Sequence, residues 1–193
     1  MALYLLSGGP GAGKTTLLAA LRATGYAVVP EVSRQLIREQ VALGSPLVPW
    51  RDLGGFAELA RARMVAQHAA ASRRGGLTFF DRGLPDLIAY LTAAGLPVAP
   101  AYYRAVAEHP YQPLAFLAPP WPAIYVNDPE RWHTPAEAAA LYEALHATYE
   151  ALGFEVCVLP RTTVAARVAF VQATLAARGA PAPGRATFTA EQG

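Results

Sequence analysis

Short apolar runs alternate along this chain with longer segments in which apolar residues recur every three or four positions. The short runs have the length and composition of β-strands, and most are apolar throughout, which is typical of strands buried on both faces of a sheet. Glycine, proline and aspartate residues mark the turns after them. Five strands are predicted in this way: Leu3–Ser7, Ala27–Val29, Leu77–Phe80, Leu114–Leu117 and Glu155–Leu159.

The longer segments carry helical spacing and helix-boundary signals. In one of them Asp52 can act as a cap, and Phe56, Ala60 and Met64 then repeat at helical spacing. Strands that alternate with helices predict an α/β fold, in which helices cover both faces of a parallel sheet. The predicted helices lie at about Lys14–Thr24, Glu31–Leu43, Asp52–Arg74, Pro85–Gly95, Pro100–Glu108, Thr134–Leu152 and Thr163–Ala177.

Length and composition indicate one domain with a sizeable core. The chain has 193 residues, of which 53% are hydrophobic and 16% charged, which is far from a disordered composition. From Gly179 onward the sequence is rich in glycine, proline, alanine and threonine. We therefore expect a domain over residues 1–178 and a disordered tail over residues 179–193.

Charge and cysteine content limit the partners and the compartment. The net charge of +2 provides no broad electrostatic footprint for nucleic acid, and the single cysteine, Cys157, excludes an internal disulfide. The surroundings of Cys157 resemble a buried strand, which predicts a packed thiol. No uncharged apolar stretch reaches the roughly 18 residues of a membrane span. We expect a cytoplasmic protein, a monomer or small homo-oligomer, that acts on a small molecule.

The stretch between the first strand and the first helix has the spacing of a phosphate-binding loop. Gly8, Gly13, Lys14 and Thr15 occupy the fixed positions of the G-x-x-x-x-G-K-[ST] pattern. Glycines let backbone amides turn toward phosphate oxygens, and the helix start adds the positive end of its dipole. Lys14 is a cation for the β- and γ-phosphates, and the Thr15 hydroxyl suits Mg²⁺. The sequence therefore predicts binding of ATP, or another nucleoside triphosphate, with Mg²⁺. The predicted nucleotide-binding residues are Gly8, Gly9, Pro10, Gly11, Ala12, Gly13, Lys14, Thr15 and Thr16.

Asp81 and Arg82 follow the third predicted strand directly. An acid at the end of a buried strand beside the phosphate loop can bind Mg²⁺ or a water on it, so Asp81 is a candidate metal residue. The alternative is that Asp81 caps the turn at Gly83. Arg82 is a candidate catalytic residue that holds substrate phosphate, and a surface position remains an equal alternative.

Glu31 lies just after the second predicted strand, three residues before Arg34. Phosphoryl transfer to an alcohol benefits from a carboxylate that accepts the hydroxyl proton, which makes Glu31 a candidate catalytic or metal residue. Arg34 would help to hold the acceptor. The alternative is an acid in the first helical turn, stabilised by the helix dipole and by pairing with Arg34.

The segment from Tyr125 to His133 lies where small kinases place a mobile lid, whose arginine neutralises charge on the moving phosphoryl group. Arg131 is the candidate catalytic residue there. A loop salt bridge among Asp128, Glu130 and Arg131 is the alternative.

The long helical segment and the loop before it lie where kinases of nucleosides keep an acceptor pocket. Aromatic and polar side chains in this region could stack on a ring or hydrogen-bond to it. A plain core or solvated surface is the alternative for about half of them. The candidate acceptor-binding residues, besides Arg34, are Trp50, Arg51, Arg63 and Gln67.

Taken together, these stretches resemble a family of small P-loop proteins described as AAA-type ATPases. The layout is similar to that of ribosylnicotinamide kinases and, more distantly, of deoxynucleoside kinases. The most specific signature is the run Asp81-Arg82-Gly83 with Pro85-Asp86, and the resemblance extends to about residue 175. It implies a three-layer P-loop fold with strand order 2-3-1-4-5 and a short lid. It also implies Glu31 as the acceptor-side carboxylate and Asp81 as the Mg²⁺-associated acid. No feature resembles the arginine or the helical lid domain of oligomeric AAA+ motors, so a ring-shaped motor is not expected.

Three functions remain open at this point. The first is an ATP- and Mg²⁺-dependent kinase for a small hydroxyl acceptor of nucleoside or riboside type. The second is a P-loop ATPase that acts as a switch or partner-binding module. An Asn-Lys-x-Asp sequence, which would specify guanine, is absent. The third is a polynucleotide kinase, against which the low net charge counts. A groove for a polynucleotide would be lined by Arg51, Arg61, Arg63, Arg73 and Arg74.

Overall fold

A parallel sheet forms the centre of the molecule. The computed structural model describes residues 1–124 and 134–180. The strands are β1 (Ala2–Gly8), β2 (Ala27–Val29), β3 (Leu77–Asp81), β4 (Leu114–Ala118) and β5 (Glu155–Val158). They stand in the order β2-β3-β1-β4-β5, and every neighbouring pair is parallel. The predicted α/β class and the strand order 2-3-1-4-5 are thereby confirmed.

Helices cover both faces of this sheet. They are α1 (Lys14–Ala23), α2 (Val32–Ala42), α3 (Leu53–Arg74), α4 (Leu84–Ala93), α5 (Pro100–Glu108), α6 (Pro135–Ala151) and α7 (Val164–Ala177). On one face, α1 and α7 pack over a core that includes Leu17, Phe79 and Phe116. On the other, α6 and parts of α3 and α4 pack over a second core that includes Leu5 and Phe80. A third cluster joins α2, α3, α4 and α5 to one another.

Side chains cap the first turn of two helices that the sequence predicts to begin at Asp52 and Thr134. The Asp52 carboxylate accepts a hydrogen bond from the backbone N–H of Gly55 at 2.8 Å and begins α3. Thr134 and Glu137 form a capping box at the start of α6, with Pro135 at its first position. Both caps satisfy backbone N–H groups that a helix start leaves without partners.

The prediction of a buried last strand was wrong. The strand β5 is the sheet edge, where Glu155 is exposed and Val158 is 44% exposed. Cys157 on this strand is half-buried and packs against the first core, and burial raises the pKa of its thiol. An edge strand has a neighbour on one side only, which apolar composition does not reveal.

Two predicted features lie outside the described residues. They are the lid segment 125–133, including Arg131, and residues 181–193 of the predicted tail. Over residues 1–124 and 134–180, every helix is too short or too polar to cross a bilayer.

Candidate active site

The phosphate-binding loop leaves β1 between two neighbouring strands. Gly8 pairs with Ala118 of β4, while Leu6, two residues earlier, pairs with Asp81 of β3. A Cβ atom at Gly8 would lie 2.3 Å from the carbonyl oxygen of Ala118, and Gly8 has a φ of +133°. Gly13, at the N-cap of α1, has a φ of +79°. Both positions need glycine, so the motif is required by backbone geometry as well as by ligand chemistry.

The side chain of Lys14 folds back over this loop. Its ammonium group donates to the carbonyl oxygens of Gly8 at 2.9 Å and Gly9 at 2.7 Å. Burial and, to a smaller extent, the cation of Arg82 together lower the pKa of Lys14 to about 8, although Asp81 and Glu31 act in the opposite direction. The ammonium therefore sits where anionic phosphate would stabilise its charged form.

Arg167 of α7 holds the phosphate-binding loop through hydrogen bonds to backbone carbonyl groups. It lies on α7 with 2% of its surface exposed, and its guanidinium donates to the carbonyl oxygens of Ala12 at 2.8 Å and Pro160 at 2.7 Å. The same guanidinium stacks over the Trp121 ring at 4.8 Å. These contacts connect the loop to α7 and to the segment after β4, so the loop is held in its shape on a rigid support.

Arg82 lies at the centre of a buried charge cluster. Its Nε donates to Glu31 at 3.0 Å, its Nη1 lies 3.4 Å from Asp86, and its guanidinium stacks over the Tyr90 ring at 5.3 Å. Among the described non-glycine residues only Arg82 has a positive φ, +66°. Burial favours the neutral form, but Tyr90 and the nearby carboxylates outweigh it and raise the pKa of Arg82. The chain thus holds a permanent cation beside Glu31, and the surface alternative for Arg82 does not apply.

Glu31 remains a carboxylate in this setting. Burial by itself would raise the pKa of Glu31, but Arg82, Lys14 and Arg34 together outweigh it and hold this pKa below its usual range. Arg34 lies 3.8 Å from Glu31 and is 44% exposed. Glu31 is therefore ready to accept a hydrogen bond from a hydroxyl group, and one of its oxygens is already oriented by Arg82.

Asp86 has a larger role than its sequence position indicates. A helix-dipole interaction accounts for an acid in the first turn of α4, but Asp86 is only 1% exposed and accepts hydrogen bonds from several elements. Besides Arg82, its donors are the Ser7 hydroxyl, the backbone N–H of Gly83 at 2.8 Å and the Tyr149 hydroxyl at 2.7 Å. Asp86 therefore ties β1, α4 and α6 together below the loop. Nothing in the sequence pairs residues 7, 86 and 149, so sequence reasoning missed this cluster.

Replacing Asp86 with asparagine is expected to destabilise the fold by about 1.5–3 kcal/mol. Every described partner of Asp86 is a donor, and an asparagine N–H₂ group cannot accept their hydrogen bonds. Urea denaturation would measure the loss. The matched control is Asp52→Asn at the exposed cap of α3, where asparagine serves as well as aspartate and stability should be retained. Equal stability of the two variants would contradict the importance of the Asp86 cluster.

Asp81 is a buried acid with an unsatisfied oxygen. It is 6% exposed, and its Oδ1 has no hydrogen-bond partner within the described residues. Burial raises the pKa of Asp81 to about 6, with Lys14 opposing this and Glu31 adding to it. A buried carboxylate oxygen without a partner fits a Mg²⁺ ion or a water on that ion, together with the Thr15 hydroxyl at the start of α1.

A cavity of about 500 Å³ joins the phosphate-binding loop to α2, α3 and α4. Most of the predicted catalytic side chains line its polar end, and apolar side chains line its far end. At the polar end it is lined by Lys14, Thr15, Thr16, Glu31, Ser33, Arg34, Arg82, Asp86 and Tyr90. At the far end it is lined by Ile37, Pro49, Leu53, Phe56, Ala57, Met64, Leu87 and Leu91.

Only one of the five predicted acceptor residues lines this cavity. Arg34 lines it, whereas Trp50, Arg51, Arg63 and Gln67 are not among its lining residues. Trp50 is 51% exposed and Arg51 is exposed as well. Arg63 pairs with Glu39 at 2.9 Å, and Gln67 donates to the Pro30 carbonyl at 3.4 Å. The rotation of α3 explains this separation, because positions 63 and 67 share a helix face that is turned from the cavity. That rotation brings Phe56, Ala57 and Met64 to the cavity instead.

A family model described as AAA domain matches residues 3–167. No curated protein shows significant sequence similarity to the chain.

Solved kinase structures have the same fold. Deoxyadenosine kinase from M. mycoides with bound dATP is 14% identical, with a TM-score of 0.63, and the match covers 91% of this chain and 100% of that one. Thymidylate kinase from Candida albicans is 13% identical, with a TM-score of 0.65 and 92% of both chains covered. The NadR protein in complex with NR is 19% identical, with a TM-score of 0.66, and the match covers 97% of this chain and 54% of that one. The predicted resemblance to small P-loop kinases is confirmed at the level of the fold.

Proposed function

The chain belongs to the AAA domain family, and we propose that it is an ATP- and Mg²⁺-dependent phosphotransferase that acts on a small hydroxyl acceptor of nucleoside or riboside type. One observation carries this proposal: a single cavity is lined by the phosphate-binding loop, by Glu31 and Arg82, and by apolar side chains of α2, α3 and α4. A hydrolase needs room for water only, whereas a transferase needs room for a second molecule beside the triphosphate. The fold shared with deoxyadenosine and thymidylate kinases supports the same choice.

The donor triphosphate would lie in the loop from Gly8 to Thr16. Backbone N–H groups there and the start of α1 face its oxygens, and the Lys14 ammonium exchanges its loop carbonyls for the β- and γ-phosphates. Thr15 and Asp81 would hold Mg²⁺, directly or through water, and the ion supplies charge neutralisation on the phosphates when bound. Arg131, which lies outside the described residues, would add charge neutralisation from the lid.

The acceptor hydroxyl would lie against Glu31. Its oxygen forms a bond to the γ-phosphorus while the bond from that phosphorus to the β–γ bridging oxygen breaks, so ADP leaves with the electron pair. The hydroxyl proton passes to the Glu31 carboxylate and then to water. Because the pKa of Glu31 is low, the carboxylate first orients the hydroxyl and takes the proton late, when bonding to phosphorus has made it acidic. Arg82 holds Glu31 in position and adds positive charge beside the transferring group.

An acceptor panel tests this function. The protein is incubated with Mg²⁺ and ATP, with nucleosides, ribosides, an oligonucleotide or no acceptor, and both ADP and phosphorylated acceptor are measured. The proposal expects acceptor-dependent ADP release with an equal amount of phosphorylated small molecule. ADP release that is indifferent to every acceptor would instead support the ATPase alternative. Transfer to the oligonucleotide alone would support a polynucleotide kinase.

A further inference from the structure

The far end of the cavity differs chemically from the end beside the phosphate-binding loop. The hydrogen-bonding side chains of the cavity wall belong to the loop, to the β2–α2 junction, to the β3–α4 region and to Glu137 of α6. The wall contributed by α3 consists of Leu53, Phe56, Ala57 and Met64. Among the described residues, no side chain of α3 that lines the cavity carries a nitrogen or oxygen atom, and the Met64 sulfur is only a weak acceptor.

The opposite wall completes an apolar chamber. Leu87 and Leu91 of α4 and Ile37 of α2 face the same space, while Tyr90 of α4 lies under the Arg82 guanidinium at the polar end. Phe56, Met64, Leu87 and Leu91 are between 2% and 7% exposed and belong to the same apolar cluster. This end is therefore a packed wall and not a surface groove.

Such a chamber selects against the edge of a nucleobase. Each donor or acceptor of a base that enters it gives up hydrogen bonds to water and gains none from these side chains, which weakens binding by roughly tenfold or more per group. A flat apolar ring has no hydrogen bonds to water to lose, and it gains contact with the Phe56 ring and the Met64 thioether. The chamber thus recognises shape and apolar surface.

On the basis of the proposed transferase function, we propose that the acceptor is a riboside-type alcohol whose ring body has no hydrogen-bonding edge. Its hydroxyl groups lie at the polar end, beside Glu31, Arg34 and Arg82, and its ring lies between α3 and α4. The preferred substrates are then apolar ribosides. Canonical nucleosides are poor substrates because the apolar wall offers no hydrogen bonds to their bases.

Matched acceptors test this proposal in the wild-type protein. Thymidine is compared with its difluorotoluene isostere, which keeps the sugar and the ring shape and lacks a hydrogen-bonding base edge. Uridine is compared with the phenyl C-riboside in the same way. Phosphorylated product is quantified, and kcat/KM is expected to be at least about tenfold higher for each apolar member. Equal or higher kcat/KM for the natural nucleosides would overturn the proposal and leave the transferase function intact. Absence of product from every acceptor would overturn both.

Two variants of Met64 test whether the preference for an apolar ring arises from contact with the chamber wall. Met64→Gln places an amide in the wall with little change in volume, and it is expected to lower the preference for the isostere over thymidine by about tenfold. Met64→Leu keeps the wall apolar and is expected to keep the preference. Thermal melts establish that both variants are folded. An unchanged preference in folded Met64→Gln would show that the ring does not contact this wall and would overturn the proposal.

Discussion

Replacement of Lys14 by alanine is expected to lower acceptor-dependent ADP release by about 10³-fold or more, because the variant loses a charge placed against the transferring phosphoryl group. The Lys14 ammonium is bound only by the carbonyl oxygens of Gly8 and Gly9 among the described contacts, and these lie in the loop itself. Its removal therefore takes away a ligand contact and leaves the sheet and its cores in place. Steady-state ADP production at saturating acceptor measures the loss, and a thermal melt shows whether the fold is kept.

The control for this variant is Arg22→Ala. Arg22 lies on the same helix, is exposed and carries the same charge, but it is remote from the loop. We expect its activity to match that of the wild type. If Lys14→Ala retained turnover within about tenfold of this control, the loop would not bind the transferring phosphates as proposed.

Replacement of Glu31 by glutamine is expected to lower the rate of phosphoryl transfer by about 10²–10⁴-fold. Glutamine keeps the shape of the side chain but cannot take the acceptor proton, and its weaker dipole orients a hydroxyl less firmly. ATP affinity should be largely retained, because the described ion pairs of Glu31 are with Arg82 and Arg34 and none is with the phosphate-binding loop. Single-turnover transfer and calorimetric ATP binding separate the two effects.

Glu39→Gln is the matched control for Glu31→Gln. Glu39 lies on α2, is also paired with an arginine, Arg63, and does not line the cavity. The same chemical change there should leave transfer unaltered. Near-normal transfer by Glu31→Gln would reassign Glu31 to a structural role, as the ion-pair partner that neutralises buried Arg82.

Local rules were sufficient to predict the helices and strands and to recognise the P-loop motif. The apolar runs predicted all five strands, and the caps at Asp52 and Thr134 predicted where two helices begin. These features depend on residues a few positions apart, which is the range over which backbone angles and capping bonds act. The loop motif is recognised locally as well, but the need for glycine at position 8 is also tertiary, because a Cβ atom there would meet the carbonyl oxygen of Ala118 in β4.

The acceptor side did not follow from local rules. Residue type and position along the chain favour Trp50, Arg51, Arg63 and Gln67 as acceptor contacts, but the cavity wall contains Phe56 and Met64. Which face of α3 meets the cavity depends on how α2, α4 and α5 pack against it. A pattern in one helix establishes that the helix has an apolar face and leaves open whether that face meets core, ligand or both.

Sequence alone was thus enough to predict an α/β chain with a P-loop motif after its first strand and a carboxylate just after its second strand. The charge cluster of Glu31, Arg82 and Asp86, its ties to Ser7 and Tyr149, and the apolar chamber beyond it arise only when the chain is folded. The reason is distance along the chain, because Arg82 is 51 residues from Glu31 and Tyr149 is 63 residues from Asp86. Pairings of that range depend on strand order and helix packing, and these set the charges, the pKa values and the shape that an acceptor would meet.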